Sequence, residues 1–571
     1  MKFRFLLYLC VLCASVVNVF ALDREAFTFT NYDLEVRVEP DQQRLGVRGK
    51  ITLRNDSSAP QKIAVLQISS SLDWRSIEAA GQPLQFVSQT YTSDIDHTGV
   101  LTEAIVTLPS AVPPKGTLDL EIAYEGVIVL DGTRLTHVGA PESTATTTDW
   151  DQISSNFTAV RGVGYVTWYP IATEAASLSE ENSLSEVVGR WKARHADSAM
   201  SIVLKTSADQ TILFSGTRNG SAHQSGEKIG KALAFRIARF GTNVPTFVLA
   251  NYGRVDVKGT SSVYYLPNHE AAAKGYEELL GNLDPLPTTN GSRQLQVADV
   301  PDSGASEFVS EGLLLLPLKP SVTEEDRLAL VYAVARGELI LARRPWISEG
   351  LAHCAQAIDI ENRHGREAAL SYLEAHRPIL AAAERSFATA NVGGEGDRRN
   401  SLIQSNDEVY VASKSMWVWW MLREILQQKD FSSLILAYDP AEDKEPSYLQ
   451  RLIEKQKKYD LEWFFDDWVY RDRGLPDFKI ESVFPRKTLP EGYMVTVTVS
   501  NQRLAGAEVP VTVKFDGGEV TQRLVVHGKS SSVTRVAISK APEEVVVNDG
   551  SVPESDMTNN TFKVVLDDSA K

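Results

Sequence analysis

Trp346-Ile-Ser-Glu-Gly-Leu-Ala352 is the stretch on which the reading of this chain turns. It leads into a predicted helix over Glu349 to Ile358, where a spacing of four puts Glu349 and His353 on one face beside Cys354. Just upstream, Ser321, Thr323 and Glu324 offer a helix start before Arg327-Leu-Ala-Leu-Val-Tyr-Ala-Val-Ala335. Downstream, Arg366 to Leu380 and Ser413 to Gln427 read as further helices, with the polar, glycine-rich Asn391 to Asn400 as a loop between them. Helical character begins near His269 and dominates from about Thr323 to Trp468. Trp417, Trp419 and Trp420 lie on one of these helices. Trp417 and Trp420 share a face, which reads as a core stripe rather than a carbohydrate or peptide platform.

On either side the period changes to two. Tyr32 to Val38, Gly46 to Leu53, Leu118 to Tyr124 and Met200 to Leu204 alternate apolar and polar residues between Pro, Gly, Ser and Asn. They predict a sizeable antiparallel β domain from Leu22 to about Asn251. After Pro476, Tyr493 to Ser500, Val509 to Phe515, Val520 to Val526 and Thr561 to Val565 read as strands, and Asp516-Gly517-Gly518 reads as a hairpin turn. With no cysteine pair, this C-terminal part is expected to be a small β-sandwich. The fold class is multidomain α+β.

At 571 residues the chain is too long for one compact core. Its 43% hydrophobic and 23% charged content excludes a mainly disordered, collagen-like or polytopic membrane protein. A net charge of −16 without a basic run excludes nucleic acid as a partner. Lys2 and Arg4 precede an apolar run from Phe5 to Val17, and Val19 and Ala21 stand before Leu22. This is the pattern of a signal peptide over residues 1–21 cleaved after Ala21, so the mature chain is expected to be exported, periplasmic or extracellular. No later run reaches 18 apolar residues, so no integral membrane segment is expected after cleavage. Cys10 and Cys13 leave with the leader, and Cys354 alone allows no intrachain disulfide.

Particular words add a resemblance. Asp460-Leu-Glu-Trp-Phe-Phe-Asp-Asp-Trp-Val-Tyr470 with Gly474-Leu475-Pro476 resembles the closing signature of the M1 family, the gluzincin aminopeptidases related to aminopeptidase N and leukotriene A4 hydrolase. Trp346 to Ala352 is similar to that family's W-L-N-E-G-F-A segment, and Lys414 to Arg423 resembles the helix after its catalytic tyrosine. Tyr32 to Val38 with Gly46 to Leu53 is similar to the opening of its N-terminal β-saddle. The resemblance spans roughly Asp23 to Asp477. It implies a β-saddle over 22–255 and a thermolysin-like, mainly helical domain over 256–476, followed by a module over 477–571 that resembles Ig-like or adhesion-type sandwiches. It also implies a chemistry: two histidines at i and i+4 and a distant glutamate hold zinc, which activates water. A glutamate between the histidines takes the proton, and a tyrosine stabilises the oxyanion. A G-A-M-E-N strand grips the substrate's free amine.

The chain departs from that pattern at its centre. Its nine histidines are His97, His137, His195, His223, His269, His353, His364, His376 and His527; no two are four apart, so H-E-x-x-H is absent. In the best register of Leu330 to Ile340, Tyr332 and Arg336 take the two ligand positions and Ala333 the general-base position; a shift by one gives Ala333 and Gly337. Glu349 is the remnant third ligand, and an arginine cannot ligate a cation. It is expected to pair with Arg336, Arg343 or Arg344, with His353 a partly buried polar residue. Ala412 falls on the oxyanion position, with Tyr410 two residues out of register. Gly304-Ala-Ser-Glu-Phe308 matches the exopeptidase strand at three of five positions, which makes Gly304, Ala305 and Glu307 candidate binding residues, Glu307 at the amine.

Other chemistries fail on spacing. Gly226-Glu-Lys-Ile-Gly-Lys-Ala232 lacks the length and final hydroxyl of a phosphate loop, Gly162-Val-Gly164 lacks its third glycine, and no G-x-S-x-G elbow occurs. Three readings stand. The first is an exported M1-aminopeptidase-like protein without its zinc motif, an inactive pseudopeptidase that binds peptides or proteins and needs no cofactor. The second is an active zinc metallopeptidase that uses Glu349, His353 and an unforeseen ligand. The third is a structural envelope or adaptor protein acting through the C-terminal sandwich.

Overall fold

The computed structural model describes residues 22–566 apart from 181–182, 222–230, 258–260, 284–294, 311, 339–341, 343, 391–400, 458–459 and 489–490. The proposed leader with Cys10 and Cys13, most of Gly226 to Ala232, the Asn391 to Asn400 loop and Arg343 lie outside the described residues. The chain is a mixed α+β protein with several sheets. Among the described residues, no helix is long and apolar enough to cross a membrane.

Alternation at Tyr32, Leu34, Val36 and Val38 buries one face of the strand Phe27–Glu39 and leaves Asp33 and Arg37 to solvent. This strand is central in an eight-stranded sheet. It runs antiparallel to Arg44–Asn55, with Val36 opposite Val47, and parallel to Ala199–Thr206, with Val36 opposite Leu204. The expected antiparallel sheet is therefore mixed at this pair. The chain reaches the parallel partner through a long crossover that includes the helix Ser183–His195, an element the strand-like reading of this region did not contain. Gly189 lets that helix press on the start of a later one, since a Cβ there would lie 1.9 Å from the Asn406 carbonyl oxygen.

Thr323 caps the helix Glu324–Glu338: its backbone N–H donates to Asp326 Oδ2 at 2.8 Å, and the Asp326 N–H returns a bond to Thr323 Oγ1 at 3.2 Å. Pro345–His364 contains the predicted helix and begins with proline in its first turn. The single helix expected over 366–380 is instead Arg366–Glu374 followed by Arg377–Ala390. Pro378 has no N–H to offer the preceding turn, so a continuous helix would lose a bond there. The helix Glu408–Ala437 breaks at Gln427, where φ is 60° and ψ 160°. Gly350 brings Pro345–His364 against Glu408–Ala437, because a Cβ would lie 2.5 Å from Ser415 Cβ. Before these helices, Glu270–Gly281 is followed by short, partly parallel strands at Gln296–Asp299 and Leu313–Leu316.

The C-terminal strands form two sheets, one of Phe478–Lys487, Tyr493–Asn501 and Ser531–Ile538, the other of Gly518–Val526, Ala507–Phe515, Pro542–Val547 and Thr561–Lys563. Phe515 pairs with Gly518 across the Asp516-Gly517 turn, with Gly517 at φ 83°. Val497, Val511 and Val545 from these sheets share one buried cluster with Trp417 and Trp468 of the helical region. Trp468 Nε1 donates to the Gly506 carbonyl at 2.8 Å, and the Gly506 N–H donates to Asp467 Oδ2 at 2.8 Å. Trp417, Trp419 and Trp420 are buried in that cluster, a core stripe.

Candidate functional site

One helical turn separates Tyr332 from Arg336 on Glu324–Glu338, and one turn separates Glu349 from His353 on Pro345–His364. The two helices bring these side chains together. The Tyr332 hydroxyl donates to Glu349 Oε2, and Arg336 Nε lies 3.0 Å from Glu349 Oε1. That second contact is an ion pair of charge, since the Nε–H makes no aligned hydrogen bond. Arg336 is held from behind: Nη1 donates to the Val309 carbonyl at 3.2 Å, and Nη2 to the Thr242 carbonyl at 3.2 Å and Thr242 Oγ1 at 3.1 Å. Burial by itself would raise the Glu349 carboxyl, but Arg336 and the Tyr332 hydrogen bond outweigh it and hold the group below its usual range. Burial and Glu349 together push the Tyr332 phenol well above its usual value. The phenol stays protonated and the carboxylate charged.

His353 sits beside this cluster with its ring 4.8 Å from that of Tyr332. Its Nδ1 is 2.9 Å from Gln356 Oε1. Gln356 Nε2 donates to the Leu328 carbonyl at 2.9 Å, and the Tyr372 hydroxyl donates to Gln356 Oε1 at 2.8 Å. The amide oxygen therefore faces the imidazole, Nδ1 carries the hydrogen and Nε2 keeps its lone pair. Burial lowers the imidazole pKa, which favours this neutral form.

These residues line a cavity of about 1070 Å³ between the N-terminal sheets and the helices. Of the residues singled out from sequence, Glu307, Tyr332, Arg336, Glu349, His353 and Ala412 line it. Gly304, Ala305 and Ala333 do not. Residues 304–307 form a loop rather than a strand, and Phe308–Ser310 is the strand that follows. Gly304 turns on Asp302 Oδ1 at 2.9 Å, Ala305 is buried, and the Ser306 N–H donates to the Thr147 carbonyl at 2.8 Å. Ala333 belongs to a different buried cluster with Leu330. Tyr410 is fixed away from the cavity. Its hydroxyl bonds Asp472, which also accepts from Lys414 Nζ at 2.7 Å, and that ammonium lies 4.9 Å from the Trp468 ring centroid. Ala412, which the resemblance aligns with the oxyanion tyrosine, puts a methyl group on the cavity wall.

Sequence reasoning missed Gln356, Tyr372, Thr242 and Val309. Gln356 was findable, three residues from His353 on the same helix. Thr242 lies 94 residues from Arg336, and no local pattern announces it.

No family model matches the chain, and no curated protein matches it. Solved structures do. The chain is similar to an M1 zinc metallopeptidase from Deinococcus radiodurans at 16% identity, over 78% of this chain and 94% of that one, with a TM-score of 0.46. A mutant of an M1 zinc metallopeptidase from the same organism, bound to a Tyr-Ser-Ala substrate, is 15% identical over the same shares with a TM-score of 0.47. A two-domain M1 zinc metallopeptidase mutant bound to L-arginine is 15% identical over 76% and 91%, with a TM-score of 0.43.

The donor set settles how well zinc suits the three convergent positions. They present a phenol that keeps its proton, a guanidinium and one carboxylate already paired with it. Zinc takes thiolate, neutral imidazole or free carboxylate. The residues do not fit the metal.

Proposed function

We propose that this chain is an exported, non-hydrolytic binding protein on an M1-peptidase-like scaffold, taking peptides or peptide segments of proteins into the cavity between its β region and its helices. The observation that carries this reading is the pairing of Arg336 with Glu349. At an effective dielectric of 20, two unit charges 4 Å apart interact by about 4 kcal/mol, so a divalent ion next to the guanidinium would be repelled by roughly 8 kcal/mol. The Glu349 carboxylate would attract the ion about as strongly as Arg336 repels it, so the pair offers a metal no net attraction, and Tyr332 already donates to the other carboxylate oxygen. The scaffold we envisage has a β-saddle over 22–255, a thermolysin-like region over 256–476 and an Ig-like module over 477–571. Export rests on the Lys2 to Ala21 pattern.

The test is hydrolysis. Full-length mature protein is incubated with a panel of aminoacyl reporter substrates, with and without a chelator and with added Zn²⁺. No turnover above a heat-treated control is expected. Chelator-sensitive turnover abolished by Glu349→Ala would establish the metallopeptidase reading instead. N-terminal sequencing of protein from a fractionated host tests export: a mature chain beginning at Leu22 is expected outside the cytoplasm.

A further inference from the structure

We infer that the cavity selects ligands carrying a cationic, N–H-donating group on an apolar stem, and that His353 Nε2 is the acceptor at its floor. This rests on the reading of the chain as a binding scaffold and narrows its ligands to basic ones.

The charges on the cavity wall carry the argument. Among the described residues, each of the four cations that line it already has a carboxylate. Arg134 makes a bidentate pair with Asp149 at 2.7 and 2.6 Å, and Lys192 pairs with Glu408 at 2.5 Å. Arg336 pairs with Glu349 at 3.0 Å and Arg344 with Asp443 at 3.0 Å. An anionic ligand would have to break one of these pairs. Two further wall carboxylates, Glu180 and Glu307, make no hydrogen bond or ion pair among the described residues and stand exposed at the rim. Among the described residues, the cavity thus offers uncompensated negative charge and no uncompensated positive charge.

The floor adds an acceptor. With Nδ1–H committed to Gln356, and Gln356 committed to Leu328 and Tyr372, His353 can present only the lone pair of Nε2, which has no protein partner among the described residues. Tyr332, Glu349 and Arg336 are spent on one another, so a ligand N–H beside them meets the imidazole of His353, with the His376 ring 6.4 Å away on the same cavity wall. Val163, Val188, Val244, Phe308, Ile379 and Leu402 also line the cavity and would pack against a methylene stem. A Lys or Arg side chain of a peptide and a free polyamine share this chemistry.

Isothermal titration of the full mature chain separates the possibilities. The probes are acetyl-Ala-Lys-Ala-amide, acetyl-Ala-Met-Ala-amide, acetyl-Ala-Glu-Ala-amide and spermidine; the acetyl caps remove any contribution from a free α-amine. The Lys peptide is expected to bind at least about tenfold tighter than the Met peptide at low salt, with the gap narrowing as salt rises. Glu180→Gln and Glu307→Gln, on the exposed rim, should each weaken the cationic probes by about two- to fivefold and leave the Met peptide unchanged. His353→Phe should weaken the Lys peptide at both salt concentrations, while His353→Gln, which keeps an acceptor, retains most of the affinity. Spermidine binding as tightly as the Lys peptide would assign the site to free polyamines; weaker binding assigns it to basic peptide side chains. Equal affinity for Lys, Met and Glu peptides would overturn the selectivity and leave the peptide-binding reading standing. No binding by any probe would overturn the inference, whatever the outcome of the hydrolysis assay.

Discussion

Arg336 Nε lies 3.0 Å from Glu349 Oε1, and the guanidinium is fastened in that position by the Val309 and Thr242 carbonyls. The cation that neutralises this carboxylate is part of the polypeptide. The charge balance of the site follows from that fixed, monovalent counter-charge.

If geometry already brings the three positions together, restoring ligands should restore a metal. The double variant Tyr332→His, Arg336→His places two imidazoles at i and i+4 facing Glu349. It is expected to bind Zn²⁺ stoichiometrically and chelator-reversibly, at least about a hundredfold tighter than the parent, since every 1.4 kcal/mol of relieved repulsion is tenfold in affinity. Calorimetric titration of both proteins reads this directly, and equal zinc affinity would contradict the convergence.

Removing one partner of the pair leaves a largely buried charge alone. Breaking a buried pair costs about 3 to 5 kcal/mol. Glu349 keeps 18% side-chain exposure, so Arg336→Met should lie at or just below that range, at about 2 to 4 kcal/mol. Adding Glu349→Gln should recover much of the loss. Urea denaturation of the parent, both single variants and the double variant gives the coupling; additive losses would mean that the two residues do not act as a pair.

His195 provides an acid-sensitive term. It is fully enclosed: Nδ1 faces the Trp191 carbonyl at 2.9 Å and Nε2 accepts the Phe29 N–H at 3.3 Å, an arrangement only the neutral ring satisfies. Burial lowers its pKa from 6.5 to about 3. A folded-state pKa below the unfolded one means that the unfolded chain takes up the proton first, so the stabilisation is present above pH 6.5 and is lost as pH falls toward 3. At 1.36 kcal/mol per unit, its limit is roughly 4 to 5 kcal/mol. Stability measured between pH 6.5 and 4.5, above the range where most carboxylates titrate, should decline in the parent and stay flatter in His195→Gln. Parallel slopes would exclude His195 as the source.

The C-terminal sheets share a hydrophobic core with the helices instead of hanging from a linker. Val497, Val511 and Val545 lie in one cluster with Trp417 and Trp468, and Arg523 on the sheets pairs with Glu424 of the helix at 2.8 Å. Each fully buried Val or Leu is worth about 1.5 to 3 kcal/mol, so exposing several of them exhausts the about 5 to 15 kcal/mol by which a protein is stable. A chain ending at Asp477 should therefore lose cooperative unfolding and bind a hydrophobic dye. A truncated chain with a sharp, near-parental melting transition would show that the sheets are a separable module, as an adaptor role would need.

Period-two alternation placed Tyr32 to Val38 and Val509 to Phe515 in strands because one face of each is buried, and the i, i+4 spacing placed Tyr332 with Arg336 and Glu349 with His353. Those are local facts. The helix Ser183–His195 was not legible: it carries Val187, Val188 and Gly189, poor helix formers, and its close approach to Asn406 at Gly189 is a tertiary contact. Two helices were read as one around Pro378, although the proline was in view. At the site, histidine counting sufficed to exclude H-E-x-x-H. The anchors of Arg336 come from a distant turn at Thr242 and the strand Phe308–Ser310, and the offset of Tyr410 became decisive only with Asp472, 62 residues on, holding its hydroxyl. Glu307 reaches the cavity while its neighbours Gly304 and Ala305 turn away, a distinction that three matching letters do not contain.

The most direct test of the built-in counter-charge is the zinc content of the wild-type protein, purified without chelator, equilibrated with excess Zn²⁺ and freed of loosely held ion before elemental analysis. Far less than one zinc per chain is expected, unchanged by Glu349→Ala. One tightly held zinc per chain that disappears in Glu349→Ala would contradict it.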